Sequence, residues 1–231
     1  MARSGGSRAT SVSAPEHRRA GRPAQNGPVR HDDDIDTPRG PARLRFDPPA
    51  DGAAVLVLGH GAGGDVDAPD LTAVRDAVLA AGAGVALVTQ PYRVAGRRAP
   101  APAGHLDEAW TAVLAELRRR APRVPHWVVG GRSSGARVAC RTAAAVGAAG
   151  VVALAFPLHP PGRPERSRAG ELLTGLPTLV VNGDRDPFGV PEPGPGIELV
   201  VRPGERHDLR RDPAGTAAVV RDWLRVHGWS S

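Results

Sequence analysis

Between Ala53 and Val201 the chain repeats one alternation six times: a mostly apolar run of five to seven residues, then a longer stretch carrying polar residues. The runs are "AAVLVLG" (53–59), "GVALVTQ" (84–90), "HWVVG" (126–130), "GVVALAF" (150–156), "PTLVVNG" (177–183) and "IELVV" (197–201). Continuous apolar runs of this length fit strands covered on both faces, not strands with one wet face. Helical spacing marks about Pro69–Ala81, about His105–Ala121, the residues after Ser133 to about Val146, a short piece near Glu171, and Pro213 to about Val226. Strands joined by helices predict an α/β fold: a mainly parallel sheet of about eight strands with helices on both faces. The first two strands come from "DIDTPRGPARLRF", where alternating residues turn at Pro and Gly and read as a half-buried sheet edge.

Length and charge bound the organisation. The 231 residues suffice for one such domain, assigned to residues 33–231. The formal charge is +6, but residues 1–30 hold Arg3, Arg8, Arg18, Arg19, Arg22 and Arg30 against Glu16 alone, which accounts for +5 of it. The body is near neutral, so a nucleic-acid partner is not expected. Residues 1–32 are rich in Arg, Ser, Pro and Gly with almost no large apolar side chain, and read as a disordered tail. There is no apolar segment for secretion and no run of 18 apolar residues for a membrane span, so the expected compartment is the cytoplasm. The lone Cys140 reads as a small core residue.

In such a sheet, active residues gather in the loops beyond the strands' C-terminal ends, and four of those loops carry polar signals. Gly131-Arg132-Ser133-Ser134-Gly135 is G-x-S-x-G at a strand-to-helix junction, a nucleophile elbow in which a strained turn lifts a serine oxygen above the sheet. The glycine frame selects Ser133 over its neighbour Ser134. "GHGAGGD", Gly59 to Asp65, also satisfies G-x-G-x-x-G, but the next strand ends in Gln90 where a dinucleotide site needs a carboxylate. The loop suits an oxyanion hole better, with the Ala62 N–H paired with that of Ser134. His207 follows the last strand and is the candidate base; "GDRDPFG" offers Asp186, preferred, or Asp184 as its acid. His60, Arg132 and His159 flank these loops as candidate substrate contacts. Arg132 could instead tie the elbow to a carboxylate elsewhere.

"TPRGPARL", "LGHGAGGD", "GGRSSGAR", "AFPLHPPGRPE", "GDRDPFG" and "GERHDL", in this order, resemble the α/β-hydrolase superfamily, and within it the small dienelactone-hydrolase-like branch. The resemblance runs from about Asp33 to the end of the sequence. It implies a serine hydrolase that cleaves a small ester or thioester through an acyl-enzyme, with Ser133, His207 and Asp186 as its triad and Ala62 and Ser134 as oxyanion donors. No metal or cofactor is then needed. The branch also includes relatives thought to act without catalysis, so the alternative is a binding or scaffold protein on the same fold, against which the intact triad candidates argue. Only 21 residues, Phe156 to Leu176, separate the strands between which a lid is often inserted, and they are rich in Pro and Arg, so a minimal lid or none is expected.

Overall fold

A computed structural model describes residues 32–49 and 53–231; apart from Asp32, the segment read as a disordered tail lies outside them. Asp32 itself opens the first strand. The elements run β1 (Asp32–Ile35), β2 (Ala42–Asp47), β3 (Val55–Gly59), α1 (Pro69–Ala80), β4 (Gly84–Thr89), α2 (Pro91–Val94), α3 (Ala103–Arg120) and β5 (Trp127–Arg132). After them come α4 (Ser134–Thr142), β6 (Gly150–Leu154), a 3-10 turn (Ala169–Leu172), β7 (Thr178–Gly183), β8 (Ile197–Arg202) and α5 (Pro213–Val226). The eight strands form one sheet in the order β1-β2-β4-β3-β5-β6-β7-β8. Only the β1–β2 and β2–β4 pairs are antiparallel; every other neighbour is parallel.

The strand period of two sorts each apolar run onto both faces. From β3, Val55 and Val57 enter a core with Trp110, Leu114 and Leu117 of α3 and Val138 and Ala139 of α4. Leu56 and Leu58 enter the opposite core with Leu71, Val74 and Val78 of α1 and Val220, Trp223 and Leu224 of α5. All five residues of β3 are buried. Fully burying one Val or Leu side chain contributes about 1.5–3 kcal/mol, so a polar residue inside the run would disturb one face or the other. Proline opens α1, α2 and α5, where its missing N–H leaves no helical bond unmade.

Three local expectations are corrected. "IELVV" is not covered on both faces: β8 is the sheet edge, with Glu198 and Val201 exposed. The predicted helix end near Val146 comes early, because α4 stops at Thr142 and the chain continues in turns closed by Gly147 at φ 61°. The single turn α2 was not anticipated; Pro91 sets its start, and the Gln90 carbonyl accepts the N–H groups of Arg93 and Val94.

Between β6 and β7 no lid is built. The segment is drawn down onto α4 by half-buried charges: Glu171 meets Arg137 and Arg141, and Arg141 in turn meets Asp107 of α3. Arg137 grips Glu171 through Nε at 2.8 Å and Nη2 at 2.5 Å, and Arg141 grips Asp107 at 2.9 and 2.6 Å. Both arginines use the planar fork that suits a bidentate carboxylate. Among the described residues, no helix is long and apolar enough to cross a membrane.

Candidate active site

Strand β5 ends at Arg132 and α4 begins at Ser134, leaving Ser133 alone at the junction with φ 53° and ψ −109°. That region is sparsely populated for any residue with a Cβ and costs on the order of 1–3 kcal/mol. Two bonds hold it: Ser133 N–H donates to the Leu154 carbonyl at 2.9 Å, and Arg137 N–H to the Ser133 carbonyl at 3.1 Å. The glycines on either side answer to close approach. A Cβ on Gly131 would stand 2.5 Å from the Gly59 carbonyl oxygen, and one on Gly135 would collide with that same carbonyl. The elbow is therefore seated directly on the end of β3, which is where the "GHGAGGD" loop begins.

The loops after β7 and β8 bring Asp186 and His207 to this point. His207 Nε2 lies 2.8 Å from Ser133 Oγ, and its Nδ1 lies 2.8 Å from Asp186 Oδ2. A carboxylate can only accept, so it fixes the tautomer: Nδ1–H donates to Asp186, and Nε2 is left to accept from the Ser133 hydroxyl. Asp186 Oδ1 accepts the Phe188 N–H at 2.8 Å, and the Phe188 ring lies against that of His207 with centroids 4.1 Å apart. The Asp186 side chain is fully buried while His207 keeps an open edge. Asp184 is held elsewhere: exposed, it accepts the Gly204 N–H at 2.7 Å and laces the exits of β7 and β8 together.

Two braces of this arrangement escaped the sequence reading. Asn182, wholly buried in β7, accepts the Phe156 N–H at 2.8 Å and donates to the Phe156 and Gly189 carbonyls at 3.1 and 3.3 Å, fixing the turn that carries Asp186. Its signal was an amide in an otherwise apolar run. Glu205, also buried, accepts the Arg211 and Asp212 N–H groups at 3.1 and 2.5 Å and closes the loop that carries His207.

The loop after β3 is shaped from within. His60 is 3% exposed; its Nδ1–H donates to the Gly61 carbonyl at 2.8 Å and its Nε2 accepts the Gln90 N–H at 3.1 Å. Burial holds its pKa below the ordinary histidine value, which agrees with a neutral ring. Expected as a substrate contact, His60 instead has both nitrogens committed to backbone inside the loop. Gly64 N–H also donates to the Gly61 carbonyl, at 3.1 Å. The Ala62 N–H belongs to the same trans peptide as that carbonyl and so points the opposite way, away from those two donors. Tyr92 Oη donates to the Ala62 carbonyl at 2.7 Å. Among the described residues, neither the Ala62 N–H nor the Ser134 N–H donates to a protein acceptor.

Of the other expected contacts, Arg132 turns under the loop, with Nε 3.6 Å from the buried Asp70 carboxylate. His159 braces the acid turn: its Nδ1–H donates to the Pro160 carbonyl at 2.9 Å and its backbone N–H to the Phe188 carbonyl at 3.1 Å. Burial pushes the Cys140 thiol up to about 12, leaving it inert as a nucleophile. Among the described residues, no group of three or more His, Cys, Asp or Glu is placed to hold a metal ion.

Comparison with known proteins follows the same lines. The family described as "Alpha/beta hydrolase domain" matches residues 52–197, a span that holds Ala62, Ser133 and Asp186 and stops short of His207. Sequence comparison with curated proteins finds no match. Among solved structures, the chain is similar to an α/β serine hydrolase without lid from Xanthomonas campestris, at 21% identity and TM-score 0.67, covering 87% of this chain and 96% of the other. It is similar to Est1E from Butyrivibrio proteoclasticus at 15% identity and TM-score 0.66, covering 84% and 98%. A dienelactone hydrolase from Anabaena variabilis follows at 17% identity and TM-score 0.65, covering 85% and 97%.

Proposed function

We propose that this chain, which belongs to the α/β hydrolase domain family, cleaves small esters or thioesters by acyl transfer through Ser133. The observation that carries the reading is the relay from Asp186 through His207 to Ser133, with 2.8 Å at each link, together with the Ala62 and Ser134 N–H groups, unengaged among the described residues. His207 Nε2 takes the hydroxyl proton as Ser133 Oγ attacks the carbonyl carbon. The oxyanion formed is received by the N–H groups of Ala62 and Ser134. Asp186 keeps the imidazole in its tautomer and steadies the imidazolium, which then gives the proton to the leaving alcohol or thiol. Water, deprotonated by the same nitrogen, attacks the acyl-enzyme; Oγ departs and regains its proton. A fluorophosphonate probe tests this directly, since peptide mapping of the labelled protein places the modification on Ser133. A labelled protein with Ser133 unmodified overturns the reading.

Substrate size follows from the segment held down between β6 and β7. With Glu171 clamped by Arg137 and Arg141, the segment is held against α4 and is not raised over Ser133 as a lid. Acetate and butyrate esters are expected to turn over faster than octanoate, with no rate jump at a lipid–water interface. Kinetics on p-nitrophenyl esters of two to twelve carbons check this, and a steady rise of kcat/KM with chain length overturns it.

A further inference from the structure

The residue beside the nucleophile reaches across to the loop that supplies the other oxyanion donor. The Arg132 guanidinium lies against that loop closely enough that a Cβ on Gly64 would stand 2.6 Å from Nη2, and one on Gly61 3.2 Å from it. Behind it sits Asp70, in the first turn of α1, with its side chain 1% exposed and Oδ2 3.6 Å from Arg132 Nε. We propose that Arg132, backed by Asp70, is a positioning residue for the oxyanion hole: one rigid guanidinium sets the Ala62 N–H and the Ser134 N–H against each other. The inference rests on the acyl-transfer reading of Ser133.

Three observations support the assignment. The loop Gly59–Asp65 contains four glycines, Gly59, Gly61, Gly63 and Gly64, whose backbones have no Cβ to restrict them. Its internal holds come from His60 and from Tyr92, both tied to the β4–α2 side through Gln90 and α2 itself. Arg132 packs against the loop from the β5 side, adjacent in sequence to Ser133. Because the Ser134 N–H begins α4, a group anchored at position 132 carries the geometry of one donor to the loop bearing the other. Donors act on a developing oxyanion only when fixed beforehand, and small errors of aim lose most of the benefit.

The second observation is energetic. Asp70 is buried, and neither carboxylate oxygen has a well-aligned hydrogen-bond partner among the described residues. Burial raises its pKa above the usual carboxylate range, opposed by Arg132 and by the nearby backbone N–H groups of Leu71 and Asp70. A buried pair adds little stability beside an apolar pair of the same volume, yet loss of one member alone leaves the other charge uncompensated and is strongly destabilising, so its role is read per folded site. The third observation is that Gly61 and Gly64 leave room for Arg132 where side chains would crowd it.

The test compares Arg132→Gln, Arg132→Lys, Asp70→Asn and Gly64→Ala with the parent on p-nitrophenyl acetate. Active sites are counted with the fluorophosphonate so that misfolded protein drops out. Loss of a whole oxyanion donor lowers kcat by about 100- to 1,000-fold; misdirecting one is expected to lower kcat per labelled site by about 10- to 100-fold, with KM within about threefold. Arg132→Lys keeps the charge without the planar fork and falls between. Gly64→Ala keeps both charges and displaces the guanidinium, so the same split arises without removing an ion. Affinity for a trifluoromethyl ketone, whose hemiketal oxyanion occupies the hole, is expected to weaken in step with kcat/KM. A merely structural pair would reduce the number of labelled sites and the melting temperature while kcat per site stays within about twofold of the parent, and that result overturns the proposal. No labelling of Ser133 in the parent overturns it together with the acyl-transfer reading, whereas a labelled parent with indifferent variants overturns the positioning role alone.

Discussion

Replacing Ser133 with alanine is expected to lower kcat toward p-nitrophenyl acetate by roughly three orders of magnitude or more, with the melting temperature little changed. The hydroxyl is the group that approaches His207 Nε2 at 2.8 Å, and alanine has nothing to offer that nitrogen. Ser134→Ala is the informative companion. Ser134 is the first residue of α4, and its side chain forms no hydrogen bond among the described residues. Only its backbone N–H is required, and alanine retains it. A loss of less than about tenfold is expected, and the reverse ranking of the two variants would reassign the nucleophile.

Asp186→Asn is expected to lower kcat by about 1,000- to 10,000-fold, the scale seen when a triad acid becomes an amide. Asn can present an N–H to His207 Nδ1, which favours the tautomer with its proton on Nε2, where it can no longer accept from Ser133. The side chain is fully buried between the Phe188 N–H and the His207 ring, so water cannot replace the lost acceptor. Asp184→Asn separates the two carboxylates of the turn. Its Oδ1 accepts one backbone N–H, from Gly204, and an amide oxygen accepts equally well. Activity within about twofold of the parent is expected there; steady-state kinetics of both variants at matched active-site concentration decide between them.

Sheet, helices and loop positions were legible because burial on two faces writes itself into the sequence as unbroken apolar runs. The edge was not: β8 carries "IELVV" like any inner strand, and only the absence of a further partner exposes Glu198 and Val201. At the site, chain order and loop position pointed to the three side chains that the structure brings within hydrogen-bond distance, Ser133, His207 and Asp186. Spacing favoured Asp186 but left Asp184 open, since both sit on one turn and its direction depends on what Asn182 and Gly204 bind. His60 misled because a histidine among glycines reads as open to solvent, whereas Gln90, 30 residues on, closes over it. Asp70 went unread: an acid at a helix start is ordinary, and nothing local announces the arginine 62 positions later that it meets.

The backbone of Ser133 has a consequence for how such a protein changes over generations. Its torsion angles, φ 53° and ψ −109°, are ones that glycine adopts freely. A glycine there would relieve about 1–3 kcal/mol of strain, less about 0.4–1 kcal/mol for its looser unfolded chain. For a fold with a margin of about 5–15 kcal/mol that is a sizeable gain, so Ser133→Gly should unfold at higher denaturant than Ser133→Ala. A descendant kept only as a scaffold would have an open downhill route to glycine at this position, one substitution away and rewarded in stability. Serine in that place forgoes this stability for an oxygen lifted above the end of the sheet, 2.8 Å from His207 Nε2.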